Sequence, residues 1–201
     1  MSRYVVCITG ASGTLYGRRL VERLLRRGHE VHLVISNAGV EVMRREEGIV
    51  FDSPHDVEPF GVAGDERHAL LRHDPQNIAA PVASGSFPVS GVAIVPCSMA
   101  SVGALASGAG RNLVHRVGDV AMKEGRRLVV APRETPLSTT HLSNLTTLSR
   151  RGVRVVPCMP GFYHGPREVS DLVDFVVDRV AKAMGEDLGL VRPWDPEEEG
   201  T

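Results

Sequence analysis

Apolar residues fall along this chain in two alternating patterns. Short continuous apolar runs at Tyr4–Thr9 (YVVCIT), Val31–Ile35 (VHLVI), Gly91–Val95 (GVAIV), Leu128–Ala131 and Val153–Val156 predict strands covered on both faces. Amphipathic segments lie between them. GASG opens a helix with Leu15, Leu20, Leu24 and Leu25 on one side and Gly28 as its stop; a second runs from Ser36-Asn37 through Glu46. Small-residue helical sequence follows Pro96-Cys97-Ser98, and further helices are expected over Arg111–Glu124, from about Ser138, and near Val169–Met184. The alternation predicts an α/β fold, a doubly wound parallel sheet with helices on both faces. From Asp52 to Ser86 no strong period is present, and Pro, Gly and Asp mark an irregular insertion. The stretch PWDPEEEGT is acidic and reads as a frayed end, which divides the chain into one domain, 1–185, and a tail, 186–201.

Composition narrows the class. The 201 residues are enough for one domain to bury a core without staples. Apolar content of 42% and charged content of 23% are those of an ordinary globular protein. A formal net charge of −1 supplies no bulk field for nucleic acid or an anionic membrane, so neither is expected as a partner. Cys7, Cys97 and Cys158 are odd in number and lack CxxC spacing; they read as reduced thiols of a cytoplasmic protein. The chain begins directly with a strand and no apolar run reaches membrane length, so neither export nor spanning is expected.

Ligands of open α/β sheets bind beyond the carboxyl ends of the strands. The residues leaving each predicted strand are Gly10-Ala11-Ser12-Gly13, Ser36-Asn37, Pro96-Cys97-Ser98, Pro132-Arg133-Glu134 and Pro157 to Tyr163. Small residues, hydroxyls and one ion pair thus gather on one edge, and several of these turns open helices whose amides favour phosphate. The pattern points to a phosphorylated ligand with a flat body. A dinucleotide fits less well, because the first turn is spaced G-x-x-G-x-x-x-G and Ser36 stands where a ribose-binding acid belongs. Taken alone, Ser12, Ser36 and Ser98 also suit helix caps, and Glu134 suits a helix start. Cys97 reads as inert packing, His141 as structural, and Asp171, Asp174 and Asp178 as a solvated helix face.

The segments TGASGTLYG, VIS, ASGSF, PCSM, NLVHRVGDVAMKE, APRETPLSTTHLSNL, PGFYHGP and DLVDFVVDR occur in an order that resembles flavin prenyltransferases of the UbiX type. The resemblance runs from about residue 4 to residue 194, and PRE-T-P-L-S-x-x-H-L is its most specific block. It implies a flavodoxin-like fold, bound FMN and a homo-oligomer, commonly a dodecamer. It also implies transfer of a dimethylallyl group from dimethylallyl monophosphate to N5 and C6 of reduced FMN, with prenylated FMN passed to a UbiD-type decarboxylase. Position by position, it places FMN on Gly10, Ala11, Ser12, Ser36, Ser98, Met99, Ala100, Ser101 and Arg133. The donor phosphate falls to Lys123, Arg133, Tyr163 and Arg179, with Arg116 and Ser84-Gly85 nearby. Glu46 and Glu134 match active-site carboxylates, Lys123 joins them as a catalytic group, and Ser12 matches a proton-relay hydroxyl. The chain departs from the family pattern at KEGRR, at Arg192-Pro193-Trp194, and at Ser101, where Thr is common.

Breaking an allylic C–O bond leaves growing negative charge on phosphate. The chain has no D-D-x-x-D cluster to hold Mg²⁺ for that task. Fixed cations are expected instead, in a metal-free site acting on a monophosphate, each charge-assisted bond contributing roughly 1.5–3 kcal/mol. Successive strand residues point opposite ways, so Arg133 is expected to reach a phosphate and Glu134 to act as acid and base for phosphate release and ring closure. Two other readings compete. One is a flavin-dependent cysteine decarboxylase, disfavoured because PCSMAS and PCMPGFY stand where P-A-S-A-N-T and P-x-M-N-x-x-M-W are expected. The other is a non-catalytic FMN carrier subunit, against which stand Lys123, Glu134 and Arg179.

Overall fold

In a computed structural model, residues 1–61 and 69–192 are described; the acidic end with Trp194 and part of the insertion lie outside them. Six strands, β1 (Arg3–Ile8), β2 (Glu30–Ile35), β3 (Leu70–His73), β4 (Gly91–Cys97), β5 (Leu128–Pro132) and β6 (Arg154–Val155), form one sheet in the order β3-β2-β1-β4-β5-β6. Every pairing is parallel, with Tyr4 opposite both Val31 and Gly91, and Val92 opposite Leu128. The helices are α1 (Thr14–Arg26), α2 (Asn37–Glu47), α3 (Met99–Ser107), α4 (Leu113–Lys123), α5 (Thr139–Arg150) and α6 (Val169–Met184). This is the flavodoxin-like arrangement.

Strand side chains alternate between faces, and the core divides accordingly. Tyr4, Val6 and Ile8 of β1 join Leu20 and Leu24 of α1 and Val176 and Val180 of α6 on one face. Val5 and Cys7 join Val102 of α3, Leu113 and Val117 of α4 and Leu148 of α5 on the other. Helix α1 sits unusually close to the sheet because Gly17 has no Cβ; one added there would lie 2.7 Å from Ile8 Cγ1. That approach fixes where the turn before α1 emerges.

Two expectations are corrected. The 52–86 insertion is not irregular throughout: Leu70–His73 pairs with β2 as an edge strand. Its four residues, LLRH, include a charge, so an apolar-run criterion misses it. Nor is the acidic face of α6 solvated beyond Asp171, which caps the helix start. Asp178 is fully buried, and Asp174 binds Arg19 and Arg23 of α1 at 2.8 Å each. Cys7 and Cys97 are buried free thiols, with burial raising the Cys97 pKa. Among the described residues no helix is long and apolar enough to cross a membrane.

Candidate active site

An all-parallel sheet puts every strand's carboxyl end on one rim, and the loops predicted to carry chemistry all leave from there. The turn from β1 to α1 ends at Gly13, whose φ of 94° lies in the left-handed region that glycine alone adopts freely. No side chain of its own caps α1; Glu46, at the far end of α2, does so instead, its Oε2 accepting the Gly13 amide at 2.8 Å. Burial would raise the Glu46 carboxyl. Hydrogen bonds from the Ser12 hydroxyl and the Gly13 and Thr14 amides, with Arg133 nearby, outweigh it and hold the pKa low. Arg133 Nε donates to the Ser12 carbonyl at 3.2 Å. Ser12, Glu46 and Arg133, widely separated in sequence, therefore meet on the rim. Gly10 packs against Ala38, so α2 touches the same turn with both its ends.

The neighbouring loops are ordered by their own hydroxyls. Ser36 Oγ accepts the Gly39 amide at 3.1 Å and Ser98 Oγ accepts the Ser101 amide at 3.3 Å, capping α2 and α3. Each cap satisfies one amide of its first turn, so Asn37 and Ala38, and Met99 and Ala100, keep N–H groups with no acceptor inside their helix. Buried Thr9 ties the two central loops: its Oγ1 donates to the Pro96 carbonyl at 2.8 Å and accepts the Ser98 amide at 2.7 Å. Ser101 Oγ lies 3.1 Å from Ser98 Oγ and 3.3 Å from His115 Nε2. Ala11 is buried beneath the rim. Glu134 is half-buried just beyond β5, its Oε1 accepting the Thr135 amide at 3.1 Å.

The remaining predicted residues lie elsewhere. Helix α4 starts near the rim, where the Leu113 amide donates to the Pro75 carbonyl at 2.8 Å, and descends to Lys123, shortly before β5 begins. Lys123 pairs with Glu124, and Arg126 donates to the Gly85 carbonyl, which gathers Ser84, Gly85 and Lys123 at the opposite edge of the sheet. The length of β5, roughly 15 Å at about 3.3 Å per residue, separates them from Arg133. Arg116 pairs with Asp119 at 3.1 Å and lines a groove of about 590 Å³ between α3 and α4. Tyr163 and Arg179 form a third group beside β6, joined by a hydrogen bond from the Arg179 guanidinium to the Tyr163 hydroxyl. The Ser12–Glu46–Arg133 group, the Tyr163–Arg179 pair and the Lys123 group thus stand as three separate sets within one chain.

Residues 1–181 match the model of the Flavoprotein family. The flavin prenyltransferase UbiX of Halalkalibacterium halodurans is 45% identical over 195 residues, covering 96% of this chain and 94% of that protein. This chain belongs to the UbiX family of flavin prenyltransferases. As a UbiX-family member it is a transferase. Two solved UbiX-type structures agree with it in fold. AnUbiX (PadA1), crystallised with FMN and dimethylallyl pyrophosphate, superposes with a TM-score of 0.84 at 34% identity, covering 96% of this chain and 97% of its own. A dodecameric FMN-dependent UbiX-like decarboxylase from Escherichia coli O157:H7 gives 0.83 at 38% identity, covering 96% and 99%. Likeness to the cysteine decarboxylase TvaF, at 17% identity and a TM-score of 0.59, shows the shared fold alone.

Within this UbiX-family chain, the sequence pattern did not single out Thr9, or Phe175, against whose ring Tyr163 packs edge-on. Thr9 carried a signal, a hydroxyl at the very end of an otherwise apolar run. Phe175 carried none, being one more apolar position of an amphipathic helix. His141, read as structural, completes the capping box of α5: its Nδ1 accepts the Ser138 amide at 3.3 Å.

Proposed function

We propose that this chain transfers the dimethylallyl group of dimethylallyl monophosphate to N5 and C6 of reduced FMN, without a metal ion, and releases inorganic phosphate. Prenylated FMN then goes to a UbiD-type decarboxylase. The observation that carries this reading is the rim, where two helix N-termini with free amides, the Ser12–Glu46 pair and Arg133 converge. Such a donor set fits FMN: the first-turn amides of α2 and α3 suit its phosphate, and Arg133 adds a cation on the same rim. Ser36, Ser98, Met99, Ala100 and Ser101 hold the flavin end. When bound, reduced FMN supplies the two nucleophilic ring positions.

The protein's part is positioning, charge stabilisation and proton movement. Arg179 and Tyr163, already paired, take the phosphate of the donor, and Arg133 on the rim would serve both donor and flavin. As the allylic C–O bond breaks, these donors stabilise the charge collecting on the departing oxygen. Glu134 serves as acid and base: it would pass the proton released at N5 to the departing phosphate, and on ring closure would protonate the prenyl double bond and take up the proton lost from C6. Ser12 and Glu46, joined by a hydrogen bond, would form a short proton relay. Lys123, Ser84, Gly85 and Arg116 complete the phosphate pocket from a second copy of the chain. This reading draws support from the dodecamer of the Escherichia coli relative and requires a homo-oligomer. We place the reaction in the cytoplasm, consistent with free thiols at Cys7, Cys97 and Cys158.

Incubation with reduced FMN and dimethylallyl monophosphate, followed by mass measurement of the extracted flavin, tests the proposal. The expected result is a dimethylallyl-sized mass gain that persists with a chelator present and is lost in Glu134→Gln. Unmodified FMN recovered from folded, flavin-loaded protein would overturn it; a requirement for added Mg²⁺ would overturn the metal-free part.

A further inference from the structure

Tyr163 and Arg179 are both substantially exposed, and long exposed side chains do not hold a geometry unaided. What holds this pair is one buried ring. Phe175, 9% exposed, stands one helical turn before Arg179 on the same face of α6, and the Arg179 guanidinium lies over its ring at 5.2 Å. The Tyr163 ring meets Phe175 edge-on, with centroids 5.7 Å apart and planes at 78°. His164 stacks nearly parallel to it, at 5.2 Å and 17°, and its two ring nitrogens are buried with no hydrogen-bond partner. The loop backbone closes in as well: a Cβ at Gly161 would lie 2.9 Å from Phe175 Cζ. The loop after β6 is therefore wrapped round a single aromatic peg, with backbone hydrogen bonds at Cys158, Met159 and Gly165 bracketing it.

We propose that Phe175 is a positioning residue for donor binding. It sets the direction of the Tyr163 hydroxyl and the Arg179 fork through its ring and touches no reactant itself. This rests on the assignment of those two residues to the prenyl phosphate. An aliphatic side chain of similar bulk preserves burial but offers neither a π face to the guanidinium nor an edge partner to Tyr163. The effect should therefore be confined to the phosphate end, leaving the flavin rim untouched.

The test compares wild type with Phe175→Leu and Phe175→Met, each loaded with FMN and checked for flavin stoichiometry. The expected outcome is normal FMN content, a rise in KM for dimethylallyl monophosphate of about tenfold, and a much smaller change in kcat. Added to the Tyr163→Phe/Arg179→Ala double variant, Phe175→Leu should bring little further loss, because both its routes are already cut. Unchanged donor KM, losses that multiply in the triple variant, or parallel loss of FMN from both substitutions would each overturn the inference. Calorimetric titration with inorganic phosphate separates this from the functional reading. If wild type makes no prenylated flavin yet binds phosphate more weakly once Phe175 is changed, the positioning role stands and the prenyltransferase reading fails. If prenylation proceeds and neither phosphate nor donor affinity responds, the reverse holds.

Discussion

Arg133 and Glu134 leave β5 side by side yet engage different neighbours: the guanidinium reaches the Ser12 carbonyl across the rim, and the carboxylate folds onto the Thr135 amide. That divergence lets adjacent charges divide their work instead of neutralising each other. Titration elsewhere has a measurable consequence. His32 Nδ1 and His73 Nε2 lie 2.7 Å apart between β2 and β3, and His32 Nε2 lies 2.7 Å from Glu30 Oε1. Burial, then the proximity of His32 and His55, depresses His73 to about 4. In the unfolded chain a histidine takes up its proton near pH 6.5, so between roughly pH 6.5 and 4 the unfolded state binds more protons. The stability that His73 contributes should be complete above that window, fall as pH falls through it, and level off below. Urea unfolding at a series of pH values checks this; His73→Gln should flatten the slope.

At the scale of elements, α6 both closes one face of the core and carries Arg179, and its own end needs an anchor. Asp178 supplies it, accepting Lys182 Nζ at 2.8 Å and the Leu190 amide at 3.1 Å. Leu188 and Val191 beyond the helix are buried against the same core, so this carboxylate sits under a returning segment. Asp178→Ala leaves the Leu190 amide without its acceptor and should lower stability by about 1–3 kcal/mol. Denaturant titration gives the magnitude, and hydrogen exchange should show the loss of protection concentrated in 186–192. Uniform loss across the sheet would contradict a local anchoring role.

At the scale of the whole molecule, the Lys123 group and the Arg133 group occupy opposite edges of one sheet. If each active site draws on two copies, Lys123→Ala and Arg133→Ala should each be inactive alone. Mixed oligomers of the two should recover activity in about a quarter of sites, since random pairing unites two intact halves that often. Co-expression with different affinity tags, followed by the flavin mass assay, measures the recovery. No recovery from verified mixed oligomers would place the whole site within one chain.

The parallel sheet, its two-faced core and the polar rim were legible along the chain because each depends on a local pattern: apolar runs of strand length, amphipathic helices and turn residues at strand ends. β3 was not, because a short edge strand with a charged residue is recognised by its partner rather than by its own composition. The buried acids of α6 were misread for a related reason. Spacing alone does not reveal that Arg19 and Arg23 of α1 await Asp174, or that a later segment folds back over Asp178. The meeting of Glu46 with Ser12, the hold of Phe175 on Tyr163 and the pairing of Asp174 with Arg19 and Arg23 were decided by tertiary structure. Each joins residues of different elements, and the packing of helices and loops on the sheet sets such relations.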